Sequence, residues 1–168
     1  MRFSKRIYFF NLKKEFCFIF AQTKNVPYLQ LLTLQTVNQE KLVLYADDDT
    51  DDRGWVSEAC MAAGSSIKID FVENGKQVLD YLEAIPTTQL PSLIVLDLNM
   101  PEMDGRQTLQ QLKSNPFYKQ IPVVIVTTSS NKIDKEVCSR LGAALYLTKP
   151  DTHAEWQKII QQLEPMIK

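Results

Sequence analysis

Four groups of polar residues follow four short apolar runs: Asp47-Asp48-Asp49 after Leu42–Ala46, Asp97 after Leu93–Leu96, Thr127-Thr128 after Val123–Val126, and Lys149 after Ala144–Leu147. Carboxylates gathered in one place repel and cannot all stay ionised unless a cation holds them. Mg²⁺ suits such a set, because it is a hard ion that takes oxygen ligands, keeps waters and bridges to phosphate. A carboxylate oxygen is also a nucleophile toward phosphorus, giving an aspartyl-phosphate. The transferred group spreads negative charge over its equatorial oxygens and needs a metal, a cation and hydrogen-bond donors around it. Asp97 as nucleophile, the Asp47/Asp48 pair with a metal, Lys149 as the cation and Thr127 as the hydroxyl donor supply every part of a phosphoacceptor site.

That chemistry requires the four groups to meet. From residue 41 onward, short aliphatic or β-branched runs alternate with segments of helical period, the pattern of a parallel sheet with crossover helices. The runs are Leu42–Ala46, Ile67–Val72, Leu93–Leu96, Val123–Val126 and Ala144–Leu147. The first, third and fourth are almost unbroken by polar residues, as strands covered on both faces should be. Between them, helices are predicted over Asp51–Ala63, Lys76–Ala84, Gly105–Lys113, Lys132–Leu141 and from Thr152 to about Leu163. Gly64, Asn74-Gly75, Asn115-Pro116, Gly142 and Pro165 punctuate them. The first helix is expected to turn Trp55, Val56, Ala59, Cys60 and Ala63 inward, and the last to open on a capping box of Thr152 and Glu155. Strict alternation predicts one doubly wound α/β domain with a five-stranded parallel sheet. Ligands in such sheets sit beyond the carboxyl ends of the strands, where the polar groups lie.

Composition narrows the classes. The 168 residues suffice for one domain with a full core but not for two. Residues 1–40 carry six basic and two acidic side chains, a net of +4, whereas residues 41–168 carry thirteen basic and eighteen acidic, a net of −5. An acidic body argues against a nucleic-acid surface. Cys17, Cys60 and Cys138 have neither metal-ligand spacing nor a disulfide framework, which predicts a reducing cytoplasm. No apolar run reaches the roughly 18–20 residues that cross a bilayer, so no stable membrane insertion is expected. Residues 1–40 are basic and aromatic-rich without a clean period, and are read as an N-terminal extension outside a domain spanning 41–168. One reading makes residues 1 to about 37 translated upstream sequence, with the start near Val37; another makes them a contact for a membrane surface or partner.

The wording of the runs is specific. Leu93-Ile-Val-Leu-Asp97-Leu-Asn-Met-Pro101-Glu-Met-Asp-Gly105 resembles the phosphoacceptor signature of CheY-like receiver domains of two-component response regulators. Ile121-Pro-Val-Val-Ile-Val-Thr127 resembles their fourth strand with its switch hydroxyl, and Tyr146-Leu-Thr-Lys149-Pro150 their fifth strand with its switch aromatic, lysine and proline. Asp97 and Thr127 are 30 residues apart, and Thr127 and Lys149 are 22 apart, in agreement with the family. The resemblance covers residues 41 to about 164. Within it, Leu-Asn-Met-Pro and Val-Thr-Thr-Ser-Ser resemble stand-alone receivers paired with phytochrome-like or hybrid histidine kinases. Two features depart from the pattern. Thr128 stands where many relatives carry Ala or Gly, and the 49 residues from Asp48 to Asp97 are slightly long, an excess assigned to the loop Ile85–Pro91.

The resemblance implies a flavodoxin-like strand order 2-1-3-4-5. It implies Mg²⁺ held by Asp48 directly, by Asp47 through water, by Asp97 and by the backbone carbonyl of Asn99. It makes Asp97 the acceptor of a phosphoryl group from a histidine kinase or phosphotransfer protein, Thr127 and Tyr146 the switch residues, Lys149 the phosphate's counter-ion, and the bond preceding Pro150 cis. Output is then a changed face of the fourth helix, fifth strand and fifth helix. With few residues after Leu163, its target is expected to be another protein, or a second copy in a homodimer.

Taken singly, each feature has an ordinary reading: Asp47–Asp49 as a helix-capping loop, Thr127–Ser130 as a polar turn, Lys149-Pro150 as a strand exit, Tyr146 as core. Their joint occurrence at the right strand ends favours the site. His153 is read as solvent-exposed, and Trp55, Trp156 and the cysteines as packing residues. Two rivals remain. A haloacid dehalogenase-type phosphohydrolase needs an acid/base aspartate two residues after its nucleophile, where this chain has Asn99. A receiver-like interaction module that never takes phosphate usually loses the acid pair or the lysine, and both are present.

Overall fold

The computed structural model describes residues 41–65 and 67–167. The readings made for residues 1–40, Cys17 among them, lie outside the described residues. The elements alternate as β1 (Leu42–Ala46), α1 (Thr50–Ala62), β2 (Lys68–Val72), α2 (Gly75–Ala84), β3 (Leu93–Leu96), α3 (Gly105–Ser114), β4 (Val123–Thr127), α4 (Lys132–Arg140), β5 (Leu145–Thr148) and α5 (His153–Leu163). The loop before β3 contains a 3-10 turn over Thr87–Gln89.

All strand pairs are parallel, and the sheet order is β2-β1-β3-β4-β5. Every residue of β3 and β4 is buried, whereas β2 and β5 at the edges are half-exposed. This is the burial expected when helices cover both faces of the middle strands. Side chains alternate between two cores, as the two-residue strand period requires. Val43, Tyr45, Val95, Val124 and Val126 pack with Val56, Ala59 and Cys60 of α1 and Trp156, Ile159, Ile160 and Leu163 of α5. Leu44, Ala46, Ile94, Leu96, Val123 and Ile125 pack with Val78 and Leu82 of α2, Leu109 and Leu112 of α3, and Cys138 of α4. Each fully buried aliphatic side chain contributes about 1.5–3 kcal/mol relative to exposure, so the middle strands anchor the fold.

The structure corrects four expectations. Ala63, expected to face inward, is the exposed C-cap residue just past α1. Trp55 is 38% exposed, because it sits about 100° around the helix from Val56, at the margin of a face that the small Val56, Ala59 and Cys60 fill. The Thr152 capping box does not form: its hydroxyl donates to the Glu155 carboxylate at 3.0 Å and caps no backbone N–H. Finally, no cis peptide bond occurs among the described residues, so the bond preceding Pro150 is trans. That is the intrinsically preferred isomer by about 0.5–1 kcal/mol, and the bend at Asp151–Thr152 turns the chain into α5.

Candidate functional site

Because every strand is parallel, β1, β3, β4 and β5 deliver their C-terminal residues to one edge. Strand pairing sets their heights: the Asp47 N–H donates to Val72 O at 3.0 Å, the Asp97 N–H to Ala46 O at 2.9 Å, and the Lys149 N–H to Thr127 O at 2.8 Å. These three residues therefore continue the ladder by one step before the chain leaves the sheet. Asp47 and Asp97 are buried and Asp48 is exposed, and carboxylate oxygens of all three lie within 4.8 Å of one another. Thr127, at the end of β4, is fully buried, Thr128 and Asn99 are exposed, and Tyr146 is half-buried.

Asp49 has a different task. Its side chain accepts from the N–H groups of Asp51 at 2.8 Å and Asp52 at 3.4 Å, capping α1. Of the acidic triplet, the ordinary helix-capping reading thus holds for one member. The cap fixes the first turn of α1 so that Asp52 faces the strand ends. Lys149 Nζ lies 2.7 Å from Asp52, 2.8 Å from Asp47 and 3.2 Å from Asp97, with only 6% of its side chain exposed. Asp52 was not among the residues expected at the site. Its only signal was a fifth-residue offset from Asp47 on the first turn of a helix, and that becomes a contact only once Asp49 sets the helix start.

Around Asp97 the backbone is tight. Its Oδ1 accepts from the Leu98 N–H at 2.6 Å, and its Oδ2 accepts from Lys149. The Gly105 N–H donates to Leu98 O at 3.1 Å. A Cβ at Gly105 would fall 2.1 Å from the Asp97 carbonyl oxygen, so only glycine permits this packing of α3 beneath the β3 exit. Asp104 and Gln107 form a reciprocal capping box there.

The electrostatics follow from burial. Desolvation pushes the Asp47 carboxyl up to about 6, with the neighbouring Asp97 adding to the shift and Lys149 only partly offsetting it. Burial alone would lower the Lys149 ammonium, but Asp47 and Asp52, with Asp97 beyond, outweigh it and hold the ammonium above its ordinary value. Three carboxylates, those of Asp47, Asp52 and Asp97, thus share one ammonium, and Asp48 adds a fourth negative charge beside Asp47 and Asp97. The buried Asp47 Oδ2 faces the Lys149 ammonium at 2.8 Å and has no other donor. An all-oxygen set with surplus negative charge fits a hard divalent cation.

Residues 43–161 match the profile of the response regulator receiver domain. The chain belongs to this family. It is 32% identical over 130 residues to the response regulator Rcp1 of Synechocystis sp., covering 76% of this chain and 88% of that one. Among solved structures, the phosphorylated cyanobacterial phytochrome response regulator RcpA superposes with a TM-score of 0.69 at 30% identity, over 76% of this chain and 94% of that chain. The Mn²⁺-bound form of Rcp1 superposes with a TM-score of 0.63 at 33% identity, over 74% and 91% of the two chains. The receiver domain thereby joins the proteins of two-component signalling, with the strand order its resemblance implied.

A second network lies beside Thr127. The Thr127 hydroxyl accepts from the Ser129 N–H at 3.4 Å, and the Tyr146 hydroxyl donates to Ser129 O at 2.8 Å. Ser129 Oγ donates to Asp134 at 2.7 Å, and Arg106 pairs with the same carboxylate at 2.7 Å. The start of α3, the start of α4, the loop after β4 and the ring on β5 are thus tied through one four-residue chain. Arg106, Ser129 and Asp134 were not singled out in the sequence, since each is an ordinary surface residue until the loop folds.

Proposed function

We propose that the receiver domain, residues 41–168, accepts a phosphoryl group on Asp97 from the phosphohistidine of a histidine kinase or phosphotransfer protein in the cytoplasm, and that residues 1–40 are an extension outside it. The observation that carries this reading is Asp97 itself: a buried carboxylate with a lysine on one oxygen and an acidic pair within metal-sharing distance. Mg²⁺ would be held by Asp48, Asp97, the Asn99 carbonyl and, through water, Asp47, and would neutralise charge on the transferred group. An Asp97 oxygen forms the new P–O bond as the P–N bond to the donor imidazole breaks, and the imidazole keeps that electron pair. Lys149 offers its ammonium to the phosphoryl oxygens, and Thr127 offers its hydroxyl.

The phosphorylated state favours an arrangement in which Thr127 bonds the phosphoryl group and Tyr146 fills the space behind it. The face of α4, β5 and α5 changes accordingly and binds a downstream protein or a second copy. Asn99 in place of an acid/base favours a held phosphate over rapid turnover, and so a switch rather than a phosphohydrolase. The test is incubation with beryllium fluoride and Mg²⁺, followed by fluorine NMR. An adduct that needs Mg²⁺ and disappears in Asp97→Asn supports the proposal. No adduct would favour the phosphate-independent interaction module.

A further inference from the structure

Lys149 has a partner that the proposed phosphoryl chemistry does not require. Its ammonium lies at least as close to Asp52, at 2.7 Å, as to Asp47 at 2.8 Å or Asp97 at 3.2 Å. Asp47 and Asp97 belong to the set of oxygens that can share a metal, and Asp52 does not. An ammonium committed to Asp47 and Asp97 competes with a divalent cation for the same lone pairs. Asp52 is the carboxylate on which Lys149 can remain when those lone pairs are taken. It is well placed for this, being fixed by the Asp49 cap on the first turn of α1 and still 24% exposed, so its own desolvation is incomplete.

We propose that Asp52 is a positioning residue that draws the Lys149 ammonium off Asp47 and Asp97 and so strengthens divalent-cation binding at the site. The inference rests on the proposed metal site and adds to it a residue that touches neither metal nor phosphate. Two consequences of removing its charge act in the same direction. Lys149 falls back on Asp47 and Asp97 and blocks them, and the site loses one negative charge that attracts the cation. The first effect requires Lys149, and the second does not.

Calorimetric titration of the full chain with Mg²⁺ separates them. Asp52→Asn is expected to raise the Mg²⁺ dissociation constant about tenfold, the lower end of what loss of an outer-shell partner costs, and Asp52→Glu to restore most of it. Asp51→Asn, which removes the same charge from the exposed side of the same turn, is expected to change it by no more than about twofold. In a Lys149→Met background Asp52→Asn is expected to have an equally small effect. An Asp52→Asn protein that binds Mg²⁺ like the wild type overturns the inference. So does an equal loss in Asp51→Asn or an undiminished loss in the Lys149→Met background, since either means simple charge removal. If the wild type itself fails to bind Mg²⁺, the metal site fails and this inference with it, whereas binding lost in Asp97→Asn but kept in Asp52→Asn removes this inference alone. Circular dichroism of each variant checks that it folds.

Discussion

The hydroxyl of Tyr146 on β5 donates to the carbonyl of Ser129, seventeen residues earlier in the loop after β4, at 2.8 Å. The ring is thereby tied to a loop that Arg106 and Asp134 hold from the other side. If this chain positions the ring, breaking it far from the phosphoacceptor should loosen the loop. Asp134→Ala is expected to raise amide hydrogen exchange across residues 128–131 while leaving β3 and β4 protected. Unchanged exchange in that loop would remove the network from the switch.

Tyr45 makes the opposite case. It is 1% exposed, and its hydroxyl is buried without a hydrogen-bond partner. A buried unpaired hydroxyl costs about 1–3 kcal/mol. Tyr45→Phe is therefore expected to leave stability unchanged or raise it by about 1 kcal/mol, the usual scale of such a change. Urea denaturation measures this, and a clear loss of stability would show that the hydroxyl has a partner.

Gly105→Ala tests the floor of the site. The added Cβ would sit 2.1 Å from the Asp97 carbonyl oxygen, so the β3 exit or the start of α3 must shift. Overpacking of this kind costs about 1–3 kcal/mol, sometimes more. Urea denaturation is expected to show such a loss, accompanied by weaker Mg²⁺ binding because Asp97 moves. Wild-type stability would show that α3 does not press on the Asp97 carbonyl.

Asp47 sets a pH dependence. Its carboxyl is raised from 3.8 to about 6 in the folded protein, so the folded state holds this proton more tightly than the unfolded chain does. The stability it contributes is full below about 4 and is lost as pH rises through about 6. Metal-free protein should gain thermal stability on acidification across that window. Mg²⁺ affinity should fall over the same window, because the proton and the cation compete for one carboxylate. A Mg²⁺ affinity that stays flat between about 7 and about 5 would show that Asp47 is ionised throughout, contrary to its raised value of about 6.

Much of this was legible in the amino-acid order. β1 and β3 begin and end where their apolar runs do, since a strand buried on both faces leaves no ambiguity of period. The closeness of Asp47, Asp48, Asp97 and Lys149 followed from strand ends alone. Features that depend on side-chain direction were not legible. Asp52 enters the site only through the angular setting of α1, and Trp55 leaves the core for the same reason. Thr152 had the residues for a capping box but spends its hydroxyl on Glu155. The bond before Pro150 is trans, the isomer that an X–Pro bond intrinsically prefers.

Phosphorylation of Asp97 is the step on which the proposed switch depends. Intact-mass spectrometry after incubation with acetyl phosphate and Mg²⁺ tests it most directly. One added phosphoryl group per chain is expected, absent without Mg²⁺ and absent in Asp97→Asn. A chain that stays unmodified, or an Asp97→Asn protein that is modified all the same, would contradict it.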